Sequence, residues 1–212
     1  MTRRDAFFAA VLCLLLLCSS GLQASPVIGP PIERNGLRIE PWLASPKIAI
    51  PSKTVGYKSC IPTVLFSVRV TNLTSSCIRF DQYAVGLTLM QANGKEIVAD
   101  PIMIAGYLRQ AQEQDFLVLQ PGQSIVLPEP SRLYWSENSL CLSWLGPFAG
   151  HPWVYESLVP GTYRVKLRCD MPASTMAIRD DRTSKIIKTL NGFWTGDVTT
   201  VPLTFELTQS KP

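Results

Sequence analysis

Between residues 63 and 207 the sequence alternates apolar and polar side chains in short runs, and proline or glycine cuts each run before it reaches helix length. The clearest run covers 63–71, where Val64, Phe66, Val68 and Val70 alternate with Leu65, Ser67, Arg69 and Thr71. A two-residue period puts one set on a buried face, because successive side chains on a strand point to opposite sides. Residues 84–92 repeat the pattern and end at Asn93-Gly94, a pair that accepts the positive backbone angles of a tight hairpin, with a returning strand over 95–99. The strand, turn, strand rhythm returns at 116–119, Pro121-Gly122 and 124–127, and again at Pro160-Gly161 followed by 162–169. A last strand is expected over 198–207, with Val201, Leu203, Phe205 and Leu207 on one face. This spacing predicts an all-β chain folded as a β-sandwich. One short helix is expected over 185–190, capped by Thr183-Ser184, aligned through Ile186, Ile187 and Leu190, and stopped by Asn191-Gly192.

The N-terminal part is different in kind. Arg3 and Arg4 precede an apolar run over 6–17, and small residues follow at Ser19, Ser20, Gly21 and Ala24, the layout of a secretory signal peptide. The run is about a dozen residues, short of the roughly 18 that span a bilayer, so cleavage is expected rather than anchoring. Cleavage after Ala24 leaves Leu22 at the minus-three position, cleavage after Gly21 leaves Ser19 there, and both bonds stay open. Cys18 would make a lipoprotein, but Leu17 stands where a lipobox has a small residue. Thr2-Arg3-Arg4-Asp5 would make a twin-arginine leader, but the core over 12–17 is more apolar than such leaders usually are. The expected product is secreted or periplasmic, with no transmembrane segment in the mature chain. It divides into a leader over 1–24, a proline-rich segment over 25–55 and a sandwich domain over 56–212. Pro26, Pro30, Pro31, Pro41, Pro46 and Pro51 predict a middle segment that is extended and mostly irregular, with 37–43 adding an edge strand.

Once Cys13 and Cys18 leave with the leader, Cys60, Cys77, Cys141 and Cys169 remain, and an even count in an exported chain predicts two disulfides. Four cysteines allow three pairings. Cys60 with Cys77 is the disfavoured one, since a straight strand over 62–71 would hold the two apart. Zinc is the rival, but these cysteines are widely spaced and His151 is the single histidine. No metal and no cofactor is expected. The formal net charge of +4 falls by one when Arg3, Arg4 and Asp5 are removed, too small an excess to argue for nucleic acid.

Catalytic chemistry has little to build on. His151 sits in Gly150-His151-Pro152, and Ser139 and Ser143 lie nearby without a nucleophile elbow around them, so no enzyme is expected. Asp170, Asp180 and Asp181 match no calcium loop and are read as a solvated turn or a helix start. Asn72-Leu73-Thr74 has the form of a glycosylation acceptor and is read as a turn. The one concentration of binding chemistry is aromatic: Tyr134, Trp135, Trp144, Phe148, Trp153 and Tyr155 fall within 134–155. Such rings either form an exposed platform for a protein or carbohydrate partner or close the sandwich core. Trp144, inside the apolar run 140–145, favours the core.

Val68-Arg69-Val70-Thr71-Asn72, Asn93-Gly94-Lys95, Leu119-Gln120-Pro121-Gly122-Gln123-Ser124, Pro160-Gly161-Thr162-Tyr163 and Phe193-Trp194-Thr195-Gly196 together resemble bacterial exported immunoglobulin-like modules. The same stretch, over roughly 60–208, is similar to the sandwich of the bacterial intracellular proteinase inhibitors. The resemblance implies an immunoglobulin-like sandwich that works as a non-enzymatic binding or structural module. The alternative it implies is a peptidase inhibitor presenting a rigid loop between Gly146 and Pro160. The leader and the insertion over 171–191 depart from the inhibitor pattern, and no inhibitory residue carries over.

Overall fold

The computed structural model describes residues 25–53, 63–81, 84–101, 111–145, 152–180 and 182–209. The alternating runs lie in two sheets whose apolar faces share one interior. The larger sheet contains β1 (Val27–Ile28), β2 (Ile32–Arg34), β3 (Leu37–Leu43), β5 (Thr63–Asn72), β8 (Asp100–Pro101), β10 (Ser124–Ser136), β11 (Ser139–Leu145) and β12 (Pro152–Leu158). Its order is β1-β3-β5-β10-β11-β12-β8, with β2 also paired to β3. The smaller sheet contains β4 (Lys47–Ile50), β7 (Val85–Gln91), β13 (Gly161–Met171), β16 (Gly196–Thr199) and β17 (Leu203–Gln209). There β13 is central, flanked by β7 on one side and by β16 and β17 on the other, and β4 runs parallel to β17. Two ribbons complete the chain: β6 (Ile78–Asp81) with β9 (Phe116–Leu119), and β14 (Thr175–Arg179) with β15 (Ile186–Asn191).

The fold is all-β and sandwich-like, as the alternation predicts. Phe66, Val68 and Val70 from β5 are at most 1% exposed, and Tyr163, Val165, Leu167 and Cys169 from β13 face them from the other sheet. Phe66 meets Phe205 edge-on at 5.6 Å, and Tyr163 stacks on Phe205 at 5.8 Å, so three rings tie the sheets together. The Tyr163 hydroxyl donates to the Val159 carbonyl at 2.9 Å and accepts from the Val159 N–H at 3.0 Å. These two bonds tie the start of β13 back to the corner that precedes it.

Several local expectations change. Residues 25–50 are extended but not irregular, since they supply β1 to β4. Strand β3 is not an edge: β5 ladders one side, β1 and β2 the other, and Leu37, Ile39 and Leu43 are fully buried. Proline is tolerated there because Pro41 interrupts only one donor of a strand that is otherwise amphipathic. Ala44, Ser45 and Pro46 then carry the chain from one sheet to the other, with the Ser45 hydroxyl accepting from the Lys47 N–H at 3.1 Å. Residues 95–99 return from a turn at Gly94 (φ +87°) but make only an isolated bridge, Met90 to Glu96. The last strand is two strands. Thr200, Val201 and Pro202 separate β16 from β17, and Val201 is 48% exposed rather than buried. Proline cannot donate to the ladder, and the buried Thr200 hydroxyl instead accepts from the Leu167 N–H at 3.0 Å.

The expected helix over 185–190 is strand β15. Ile186, Ile187 and Thr189 are β-branched and favour a pleated surface. Their segment ladders onto β14, with Met176 opposite Leu190 and Ile178 opposite Lys188. Ser184, expected as a helix cap, lies in the turn between the two strands at φ +56°.

Candidate functional site

The strand geometry disperses the expected aromatic platform. Cross-strand partners share a face, and Trp135 is opposite Leu140, Leu142 opposite Tyr155, and Trp144 opposite Trp153. That face is the inner one. Trp144 and Tyr155 are 4% and 2% exposed and belong to the core, and Trp135 and Trp153 are half-buried against it. The Trp135 indole N–H donates to the Pro51 carbonyl at 2.8 Å, and Lys53 Nζ lies 5.1 Å from its ring while donating to Asn138 Oδ1 at 2.9 Å. These contacts pin 51–53 onto the β10–β11 hairpin. Tyr134 alternates to the outer face and is half-buried. Phe148 and His151 lie outside the described residues.

Tyr155 has a structural task. Its hydroxyl crosses between the sheets and donates to the Leu87 carbonyl at 2.6 Å. Burial pushes the phenol up to about 12. A phenol raised in the folded state relative to an ordinary value near 10 stabilises the fold fully below pH ~10 and loses that contribution as pH rises toward 12. Wild-type protein is therefore expected to lose roughly 2–3 kcal/mol of unfolding free energy across that window. Tyr155→Phe should lose about 1 kcal/mol at neutral pH and show a flatter alkaline limb in urea titrations. An alkaline limb unchanged by the substitution would assign the transition to another group.

No disulfide joins any two of Cys77, Cys141 and Cys169, the described members of the expected two-disulfide set; Cys60 lies outside the described residues. Secondary structure keeps the three apart: Cys141 is in the larger sheet opposite Tyr134, Cys169 is in the smaller sheet opposite Val85 and Val198, and Cys77 is exposed before β6. Burial pushes the Cys141 thiol up, and its Sγ donates to the Ser139 carbonyl at 3.6 Å. Cys77 Sγ donates to Gln120 Oε1 at 2.8 Å.

The acidic residues are absorbed by the fold. Arg168 donates to both Asp197 oxygens at 2.9 and 2.7 Å and to Asp170 at 3.2 Å, and its guanidinium holds the Asp197 carboxyl below the usual carboxylate range. Asp180 Oδ1 accepts from the backbone of Arg182 and Thr183 and from the Thr183 hydroxyl; Asp181 lies outside the described residues. Among the described residues no cluster of histidine, cysteine or carboxylate has the makings of a metal site. Asn72 is completely buried: its Nδ2 donates to the carbonyls of Ser76 and Leu119, and its Oδ1 accepts from the backbone and hydroxyl of Thr74. Both amide hydrogens are committed, so the motif is a structural staple and not a glycan acceptor.

The arrangement best suited to binding is one that the sequence reading passed over. On the outer face of the larger sheet, Glu40 is directly opposite Arg69, and Trp42 is opposite Ser67 on one side and Ile28 on the other. The Arg69 guanidinium stacks on the Trp42 ring, its central carbon 4.4 Å from the ring centroid, and Arg69 Nη1 is 3.6 Å from Glu40 Oε2. Ile28 and Val126, the cross-strand neighbours of Trp42 and Arg69, are 52% and 43% exposed. Among the described residues, Trp42 Nε1 is the one buried side-chain nitrogen or oxygen with no hydrogen-bond partner. Leaving such a donor unmet costs about 1–3 kcal/mol. The missed signal is in the pattern of 37–43, where a tryptophan alternates with Arg38 and Glu40 on the polar side of an amphipathic strand.

No family model, curated protein or solved structure matches the chain.

Proposed function

We infer that this chain is an exported, non-enzymatic binding module whose protein partner docks on the outer face of the larger sheet, centred on Trp42 and Arg69. The observation that carries the reading is the Arg69–Trp42 stack on a face that also presents Ile28 and Val126. Tryptophan and arginine dominate the energetics of protein interfaces. Arg69 occupies one face of the ring, which disfavours the open stacking surface that a sugar requires. Export rests on the leader pattern of residues 1–24, since no disulfide joins the described cysteines to one another. The inhibitor alternative is less supported, since seven of the fifteen residues from Gly146 to Pro160, those of strand β12, ladder to β11, and two of them also to β8.

The test is a photo-crosslinking amino acid placed at Ile28 or Val126 in the full chain expressed in its native host. A discrete protein adduct is expected from both positions and none from exposed Val201 in the connection between β16 and β17. Trp42→Phe, which shrinks the ring beneath the Arg69 guanidinium, should reduce adduct yield about tenfold. Adducts that are absent, or that persist unchanged in Trp42→Phe, would refute the assignment of this face.

A further inference from the structure

The geometry points to a second, separate surface: the tip of the β14–β15 ribbon is an arm that binds anionic phospholipid. The ribbon is held to the body as far as the Ile178–Lys188 pair, with Ile178 and Leu190 buried and Lys188 paired with Glu113 on the 3-10 turn at Glu113–Asp115. Beyond that point it leaves the core. Ile186 and Ile187 are 55% and 66% exposed, and the register shift between Ile178 and Arg179 makes Ile187 the extra residue of a bulge, where strict alternation of faces lapses.

Charge surrounds these two isoleucines. Residues 179–188 contain four cations, Arg179, Arg182, Lys185 and Lys188, against two carboxylates. Asp180 is spent on the turn, where three donors hold its Oδ1, and Arg179 Nη1 donates to the Ser184 carbonyl at 2.9 Å. The side chains of Arg182 and Lys185 form no ion pair among the described residues. Asp180 and Arg179 thus serve the turn, and Arg182 and Lys185 are exposed beside the two isoleucines. Phosphate headgroups meet the cations, and the acyl boundary takes the isoleucines; neither half of this pairing suits water or an acidic protein alone. The arm is formed by different strands from the Trp42 face and does not depend on it.

Vesicle flotation with the full chain tests the proposal. Vesicles of phosphatidylcholine with about one-third phosphatidylglycerol should carry the protein upward at low salt, and pure phosphatidylcholine should not. Ile186→Ser combined with Ile187→Ser, and separately Arg182→Ser combined with Lys185→Ser, should each weaken flotation about tenfold or more, with thermal unfolding unchanged. Trp42→Phe should float like wild type, which separates this result from the fate of the partner-binding face. No flotation with anionic vesicles, equal flotation with neutral ones, or ribbon variants that match wild type would overturn the proposal.

Discussion

Replacing Asn72 with aspartate should destabilise the protein by at least about 3 kcal/mol at neutral pH, because two carbonyls lose their donor at about 1–3 kcal/mol each and a buried carboxylate is added. The carbonyls are those of Ser76 and Leu119, at 2.8 and 3.0 Å from Nδ2. The same residue joins the end of β5 to the turn between β9 and β10 through its backbone, which accepts from the Gly122 N–H and donates to the Gln123 carbonyl. Removing the side-chain donors therefore loosens β5, β9 and the start of β10 together. The loss should shrink below pH ~5, where a protonated aspartate recovers one donor. Urea unfolding of wild type and variant at pH 7 and pH 4.5 measures both effects. A neutral-pH loss under 1 kcal/mol would mean that Asn72 is not the staple described.

Phe66→Ala should cost roughly 3–5 kcal/mol, the range for truncating a fully buried phenylalanine that leaves a cavity behind. Phe66 is 1% exposed and is the β5 ring that reaches Phe205 across the sandwich, with Tyr163 stacked beyond it. Its loss uncouples the two sheets at their centre. Set against total stabilities of about 5–15 kcal/mol, either substitution alone consumes a large share of the fold's margin. Val126→Ala, on the outer face, should change the urea midpoint little and serves as the control. Equal losses for Phe66→Ala and Val126→Ala would place the core elsewhere.

The all-β class was legible because alternation at two-residue spacing leaves few other ways to bury one face of Val64 to Val70 or of Tyr163 to Cys169. Strand boundaries were less so. Pro128 and Pro130 would argue against a central strand, yet β10 runs through both. It does so because its first half ladders only to β5 and its second half to β11, and a bulge at Glu129 and Pro130 absorbs the change. The extra N–H that the bulge leaves, on Leu65, donates to the buried Ser131 hydroxyl at 3.1 Å.

The candidate site was harder to read than the fold. Counting aromatics located Tyr134 to Tyr155 correctly as a dense segment, but density in sequence does not say which face a ring occupies. Register decided that by setting Trp144 against Trp153 and Leu142 against Tyr155, all inward. The same register put Trp42 beside Arg69, residues 27 positions apart whose meeting depends on β3 lying against β5. The cysteine count is limited for a related reason: an even number permits pairing, but two sulfurs bond only if their strands bring them within about 4 Å at the Cβ atoms, and no two of the described cysteines are joined.

Local side-chain chemistry was enough to say that this chain makes strands, where most of them turn, and that residues 1–24 read as a leader, because periodicity and turn preference act over a few neighbours. Pairing partners, the inward or outward sense of each ring, the fate of the thiols and the unmet donor at Trp42 came only with the assembled sheets. Those properties are set by contacts between segments distant along the chain, and a one-residue change in register would have reversed them.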